Sequence, residues 1–219
     1  GAAEGPKNIR QKLGRLAWHH TKSIADFGDV VCAGDDMEGA QEMLSEKVKA
    51  LLTEGVFPIV LGGGHDVAYG HFNGIKKAFP DRGIGIINFD AHFDLRPVVD
   101  QPSSGTPFYQ IYSENKEVEY MAIGIQTPSN TKELFSIAEK NNAEVWKVED
   151  CHLGEIEIKR RLKPFLEKVD SVYITIDLDG FSSAYAPGVS APSPIGFDPN
   201  FVLSVLKVLF SSDKVIALD

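Results

Sequence analysis

The stretch "IGIINFDAHFD", Ile84 to Asp94, begins as an apolar run and ends in a knot of charge, with Asp90, His92 and Asp94 each two residues from the next. The run shows little polar alternation, which marks a strand covered on both faces rather than one with a wet side. Comparable runs rich in Val and Ile recur at 56–61, 118–125, 144–148, 172–178 and 215–218. Between them lie stretches with helical spacing at about 36–54, 67–79, 130–142, 155–168 and 199–211. In the first of these Met37, Ala40, Leu44, Val48, Leu51 and Leu52 trace one buried face. Asn130-Thr131-Lys132-Glu133 has the look of a capped helix start, and Pro164 is expected to kink or interrupt the helix around it. Short buried strands alternating with helices predict an α/β fold, a three-layer α/β/α sandwich around a central parallel sheet. The pattern never breaks for a linker, so the 219 residues are read as one domain.

In such sheets ligands gather at the carboxyl ends of the strands. The polar residues fall there. "VFPIVLGGGHD" finishes in His65 and Asp66, "IGIINFDAHFD" in Asp90, His92 and Asp94, and "SVYITIDLDG" in Asp177 and Asp179. If the backbone stays extended past Phe89, alternation puts Asp90, His92 and Asp94 on one side, and likewise Asp177 with Asp179. Two carboxylates about 4 Å apart repel by roughly 4 kcal/mol at an effective dielectric near 20. Several such pairs would burden a domain whose whole stability is about 5–15 kcal/mol. The acids must protonate or meet cations, and few Lys or Arg lie near them in sequence.

Two imidazoles and four carboxylates with no thiolate suit Mn2+, with Fe2+, Co2+ and Zn2+ as competitors. Six ligands exceed the needs of one ion, so two ions sharing carboxylates is the expected count, and metal-assisted hydrolysis the expected reaction class. A lone Asp-x-Asp is commonly a cap or a surface turn, and "GGGHD" alone could cradle a phosphate. Neither a Walker lysine nor a G-x-G-x-x-G pattern supports that second use.

Composition narrows the field. A net charge of −9 with no Lys/Arg cluster argues against nucleic acid or an anionic membrane as partner. No apolar run is long enough to cross a bilayer, and "GAAEGPKNIR" has no signal-peptide pattern. Two distant cysteines, Cys32 and Cys151, fit reduced thiols, so a cytoplasmic protein is expected.

"GGGHD", "DAHFD" and "IDLDGF" resemble, in order, the three metal-binding segments of the ureohydrolases, the family of arginases and agmatinases. "GAAEGPKNIR" is similar to that family's "GA-x-x-GP-x-x-IR" segment, and "APGVSAPSPIGF" to its loop after the second Asp. The resemblance implies an arginase-like fold with two Mn2+ at the rim. One ion would take His65, Asp90, Asp94 and Asp177; the other His92, Asp90, Asp177 and Asp179, so that Asp90 and Asp177 bridge. It further implies that Asp94 orients the attacking water and collects its proton. Family members begin with an earlier strand and continue past "VIALD" to an acidic residue that contacts substrate, so a first strand and a C-terminal segment are expected to be missing here. Family members often associate, which makes a homo-oligomer an expectation.

Within the family, "LGGGHDVAYGHFNGI", "NFDAHFDLRP" and "SSGTPFYQI" resemble the formimidoylglutamase branch more than the arginases. Arginases carry a proton-shuttle histidine where this chain has Phe108, and agmatinases one where it has Ser104. Its absence points away from guanidine substrates and leaves the acid that releases the product amine unnamed. The implied substrate is a small linear amidine with two carboxylates, which calls for a cation. Arg96 is the candidate, unless it merely pairs with Asp94 or Asp100. Ser104 and Thr106 complete the expected substrate contacts. Another guanidino or amidino substrate, a family member that binds metal without turnover, and a one-ion zinc deacetylase are the rivals. His19, His20 and His71 are expected on helix surfaces or in packing. Cys151-His152 lies in a loop without sign of an activated thiol, and Asp66 is a candidate helix cap.

Overall fold

The computed structural model describes residues 2–19 and 21–219. Five strands, β1 (Ile84–Phe89), β2 (Glu119–Ile125), β3 (Glu144–Lys147), β4 (Ser171–Ile176) and β5 (Val215–Leu218), form one sheet in the order β3-β2-β1-β4-β5. Every pairing is parallel. The described α-helices are α1 (Gly5–Leu13), α2 (Met37–Thr53), α3 (Val67–Ala78), α4 (Pro107–Glu114), α5 (Lys132–Lys140), α6 (Glu155–Lys168) and α7 (Pro199–Phe210).

Alternation along the strands divides the interior in two. Ile84, Ile86, Tyr120, Ala122 and Tyr173 pack with residues of α2, α3, α4 and α5. Ile87, Phe89, Met121, Ile123, Val172 and Ile174 pack with α6 and α7 on the other face. The three layers expected from the sequence follow directly. The chain runs outward from β1 through β2 to β3, then returns to place β4 against the other side of β1. That reversal makes the β1/β4 boundary the switch point, where the crevice of an open parallel sheet forms.

Three sequence expectations need correction. Residues 56–61 form no strand: they touch the sheet through one bridge, Ile59 with Leu218, made by Val60 N to Leu218 O at 2.9 Å and Leu218 N to Pro58 O at 3.2 Å. Phe57 and Ile59 stay exposed, so the apolar run reflects an edge position with a partner on one side only. Pro164 does not interrupt α6, which continues from Glu155 to Lys168. Pro164 is exposed, so water can satisfy the carbonyl its missing N–H leaves free. His19 is exposed in irregular chain rather than on a helix, and His20 lies outside the described residues. The capped start at Thr131 is present, its hydroxyl accepting from Leu134 N at 3.3 Å.

Candidate metal centre

Strand β1 ends at Phe89, so alternation does not place the charged residues beyond it. A turn does. Asp90 remains tied to the sheet by its N–H to Ile123 O, and its carboxylate accepts from His92 N at 2.7 Å. Asp94 then adopts φ 48°, a left-handed conformation that Asp tolerates better than most residues. The same substitution of turn for strand occurs after β4. There a 3-10 turn from Leu178 to Gly180 begins with Asp177 accepting from Asp179 N at 2.9 Å. His65 comes from the glycine-rich loop before α3, which α2 secures by a bond from Gln41 Nε2 to Asp66 O at 3.0 Å. Asp66 stands at the N-cap of α3, yet its side chain makes no capping bond.

Two groups result. The Nδ1 atom of His65 lies 2.9 Å from Asp94, 3.2 Å from Asp90 and 3.3 Å from Asp177. The Nδ1 atom of His92 lies 3.2 Å from Asp90 and 3.3 Å from Asp179. In each group the ligand-type atoms lie within 4.8 Å of one another, and Asp90 belongs to both. All six residues singled out in the sequence thus converge at the β1/β4 crevice. The one difference from the expected grouping is Asp177, which falls in the first group alone.

This crowding displaces the proton equilibria of the site. Burial, then the charge of Asp90, pushes Asp177 up to about 7 and Asp94 up to about 6. Burial also raises Asp179. Burial opposes the charge on Asp90, but hydrogen bonds from His65 and His92 outweigh it and hold its carboxyl below the usual range. Bonds to Asp179 and Asp90 carry His92 up to about 10. Burial likewise opposes charge on His65, and Asp90 with Asp94 overcomes it, leaving that imidazole well above its ordinary value. Protons are thus drawn to positions where cations would relieve the same repulsion. Asp179 Oδ1 is buried and, among the described residues, makes no well-formed hydrogen bond, its nearest donor being His92 Nδ1 at 3.3 Å. An all-oxygen-and-imidazole set with such an atom fits hard or borderline divalent ions, Mn2+ among them.

The other expected residues separate. Arg96 is exposed, its stem packed on Gly105, and among the described residues it pairs with neither Asp94 nor Asp100. Ser104 is exposed beside the glycine loop, its Cβ facing Gly64. Thr106 is buried, and its hydroxyl accepts from Ser103 N at 3.0 Å and has Ser103 O and Gln110 Oε1, each at 2.9 Å, as acceptors for its one hydrogen, so it braces the loop. Phe108 is buried edge-on to His65, ring centroids 5.4 Å apart, and shields that imidazole with an apolar wall. Beside His92 opens a cavity of 340 Å³ whose lining includes Gln126, Ser129, Ser193 and Ile195. Cys151 is buried and its thiol is pushed up to about 12, consistent with an inert role.

With this geometry in place, comparison is informative. The arginase family model matches residues 1–219.

The chain belongs to the arginase family.

A formimidoylglutamase of Geobacillus thermodenitrificans is 44% identical over 223 residues, spanning 100% of this chain and 69% of that protein. One of Chromobacterium violaceum is 42% identical over 225 residues, spanning 100% and 72%. The crystal structure of Bacillus subtilis formimidoylglutamase superposes with a TM-score of 0.91 at 26% identity, covering 100% of this chain and 72% of that one. Trypanosoma cruzi formiminoglutamase with Mn2+ superposes with a TM-score of 0.85 at 25% identity, covering 100% and 77%. No described helix is long and apolar enough to cross a membrane.

Sequence reasoning missed four polar residues around the centre. Asn88 donates to Tyr120 OH at 3.0 Å and sits 3.4 Å from Asp90 Oδ2. Thr175 meets His65, Asp219 meets His71, and Gln126 Oε1 accepts from Ser193 at 2.8 Å. A signal existed for two of them: Asn88 and Thr175 are polar residues inside buried strands, each two positions ahead of a site aspartate.

Proposed function

We propose that this chain is a two-manganese hydrolase that cleaves the C–N bond of N-formimidoyl-L-glutamate, giving L-glutamate and formamide. The observation that carries the proposal is the convergence of His65, Asp90, Asp94 and Asp177 with His92 and Asp179 through the shared Asp90. Similarity across the whole chain to formimidoylglutamases supports the substrate. His65, Asp90, Asp94 and Asp177 would hold one ion, and His92, Asp90 and Asp179 the other, with Asp177 completing the second set as a bridge. When bound, the pair supplies Lewis acidity and lowers the pKa of the water that attacks.

The protein's own groups do the rest. Asp94 accepts the hydrogen bond of the attacking water, aims its oxygen at the formimidoyl carbon, and takes its proton as the C–O bond forms. The same carboxyl delivers that proton to the glutamate nitrogen as the C–N bond breaks. Phe108 keeps bulk water from the His65 side. Arg96, exposed near the loop that carries Ser104 and without an ion-pair partner among the described residues, receives a substrate carboxylate bidentately. Ser104 offers a hydroxyl to the same end of the ligand.

The test is an assay of the purified, Mn2+-treated chain on formimidoylglutamate, arginine and agmatine. Release of formamide from the first without urea from the others is expected. Urea release would move the substrate to the guanidino class, and bound metal without either product would leave a binding protein.

A further inference from the structure

The two nitrogens of His65 face different worlds. Its Nδ1 points into the carboxylates, while Nε2 lies 2.8 Å from the hydroxyl of Thr175, a fully buried residue of β4. Across the parallel ladder Asp219 lies opposite Thr175, flanked by its bonds to Ile174 and Ile176, and its carboxylate is also buried. Asp219 Oδ2 takes a hydrogen bond from His71 Nδ1 at 2.6 Å and another from Tyr173 OH. Burial alone would raise this carboxyl, but His71, Thr175 and Tyr173 together hold it below the usual range, so it stays an ionised acceptor. A β-ladder fixes its backbone, with Asp219 N to Ile174 O at 3.0 Å and Ile176 N to Asp219 O at 3.0 Å.

Hydrogen-bond polarity then runs in one direction. A carboxylate can only accept, so the single hydroxyl hydrogen of Thr175 is drawn to Asp219. Thr175 is left with lone pairs toward His65, which demands a hydrogen on Nε2. Nδ1 is therefore the nitrogen free to present a lone pair to a cation. We propose that Asp219, acting through Thr175, is a positioning residue that selects Nδ1 of His65 as the metal-binding nitrogen, with His71 and Tyr173 clamping Asp219 in place. This rests on the reading of His65 as a ligand given above, and it adds to that reading a chain of four buried groups reaching from the rim to α3.

The experiment measures Mn2+ dissociation constants by calorimetry for the wild type, Thr175→Val, Thr175→Ser and Asp219→Asn. It also records the imidazole 15N spectrum of the Zn2+-loaded proteins, Zn2+ serving as a diamagnetic probe. Thr175→Val, nearly isosteric but unable to accept, should weaken Mn2+ binding roughly 10–100-fold, the usual effect of losing an outer partner of a ligating histidine. Thr175→Ser should restore binding to near the wild-type value, and Asp219→Asn should weaken it by about tenfold. The wild-type spectrum should show His65 protonated at Nε2 with the ion on Nδ1, and this single form should be lost in Asp219→Asn. If Asp219→Asn does not fold, the Val and Ser variants of Thr175 decide alone. Wild-type affinity in Thr175→Val, or an ion on Nε2, overturns the relay while leaving the metal centre intact. A wild type that takes up no Mn2+ overturns the metal reading and the relay with it.

Discussion

At the scale of single residues, groups that crowd one crevice have separable duties. Asp177→Ala removes a carboxylate 3.3 Å from His65 and should abolish both Mn2+ binding and turnover. An active variant with full manganese content would refute its bridging role. Asp94→Asn keeps the shape but cannot take a proton, so kcat should fall by about 10²–10³-fold while KM changes little. Arg96→Ala should raise KM roughly 10–100-fold, matching the about 1.5–3 kcal/mol of a hydrogen bond to a charged group, with kcat nearly unchanged. An unchanged KM would remove Arg96 from the substrate site. The six clustered residues were legible in the sequence because no benign arrangement buries four carboxylates and two imidazoles at strand ends. Thr106 was not legible: only the folded loop reveals that Ser103 and Gln110 already occupy its hydroxyl.

At the scale of elements, the position of the glycine loop depends on how α3 seats against α2. A Cβ at Gly70 would meet Gln41 O at 2.7 Å, and one at Gly74 would meet Ser45 O at 2.6 Å. Both contacts are with helix backbone, which cannot swing aside, so the two glycines set the distance between the helices. Gly74→Ala should lower stability by about 1–3 kcal/mol through overpacking, read as a fall in melting temperature. It should also weaken Mn2+ binding, because Gln41 of α2 holds the carbonyl of Asp66 next to His65. A variant as stable as the wild type would show that α2 and α3 can part without cost. Periodicity exposed α2, α3, α5, α6 and α7 and the strands that became β1 to β5, since buried faces repeat. It overstated residues 56–61, because an apolar run at a sheet edge reads like an interior strand. It also assumed extension past Phe89, where the local turn and the left-handed Asp94 do the positioning. Helices α1 and α4 went unseen: α1 has no buried face to repeat, and α4 is only eight residues long behind a Ser-Gly-Thr-Pro loop.

At the scale of the whole molecule, the centre ties stability to pH and to metal. Asp94 and Asp177 have raised values, so in metal-free protein their contribution to stability is complete below about pH 4. It is lost as pH rises through about 6 and 7, where the folded state gives up those protons. His92, raised to about 10, contributes below its unfolded value near 6.5 and loses that contribution as pH climbs through 10. Asp90 is lowered, so its contribution is present above about pH 4 and fails only in stronger acid, outside this window. Metal-free protein should therefore melt at progressively lower temperature from pH 5 to 9. Mn2+ must displace these protons, so the rise in melting temperature on replacing EDTA by Mn2+ should be larger at pH 8.5 than at pH 6. Equal shifts at both would show that metal binding releases no protons here.

The central claim is that paired divalent ions hold the acidic tips of β1 and β4 together. Elemental analysis of the purified, Mn2+-equilibrated chain, run beside a formamide-release assay on formimidoylglutamate, tests it most directly. The expected result is two manganese ions per chain with turnover that EDTA abolishes and Mn2+ restores. A chain that keeps no manganese, or that hydrolyses the substrate equally well without it, would contradict the account.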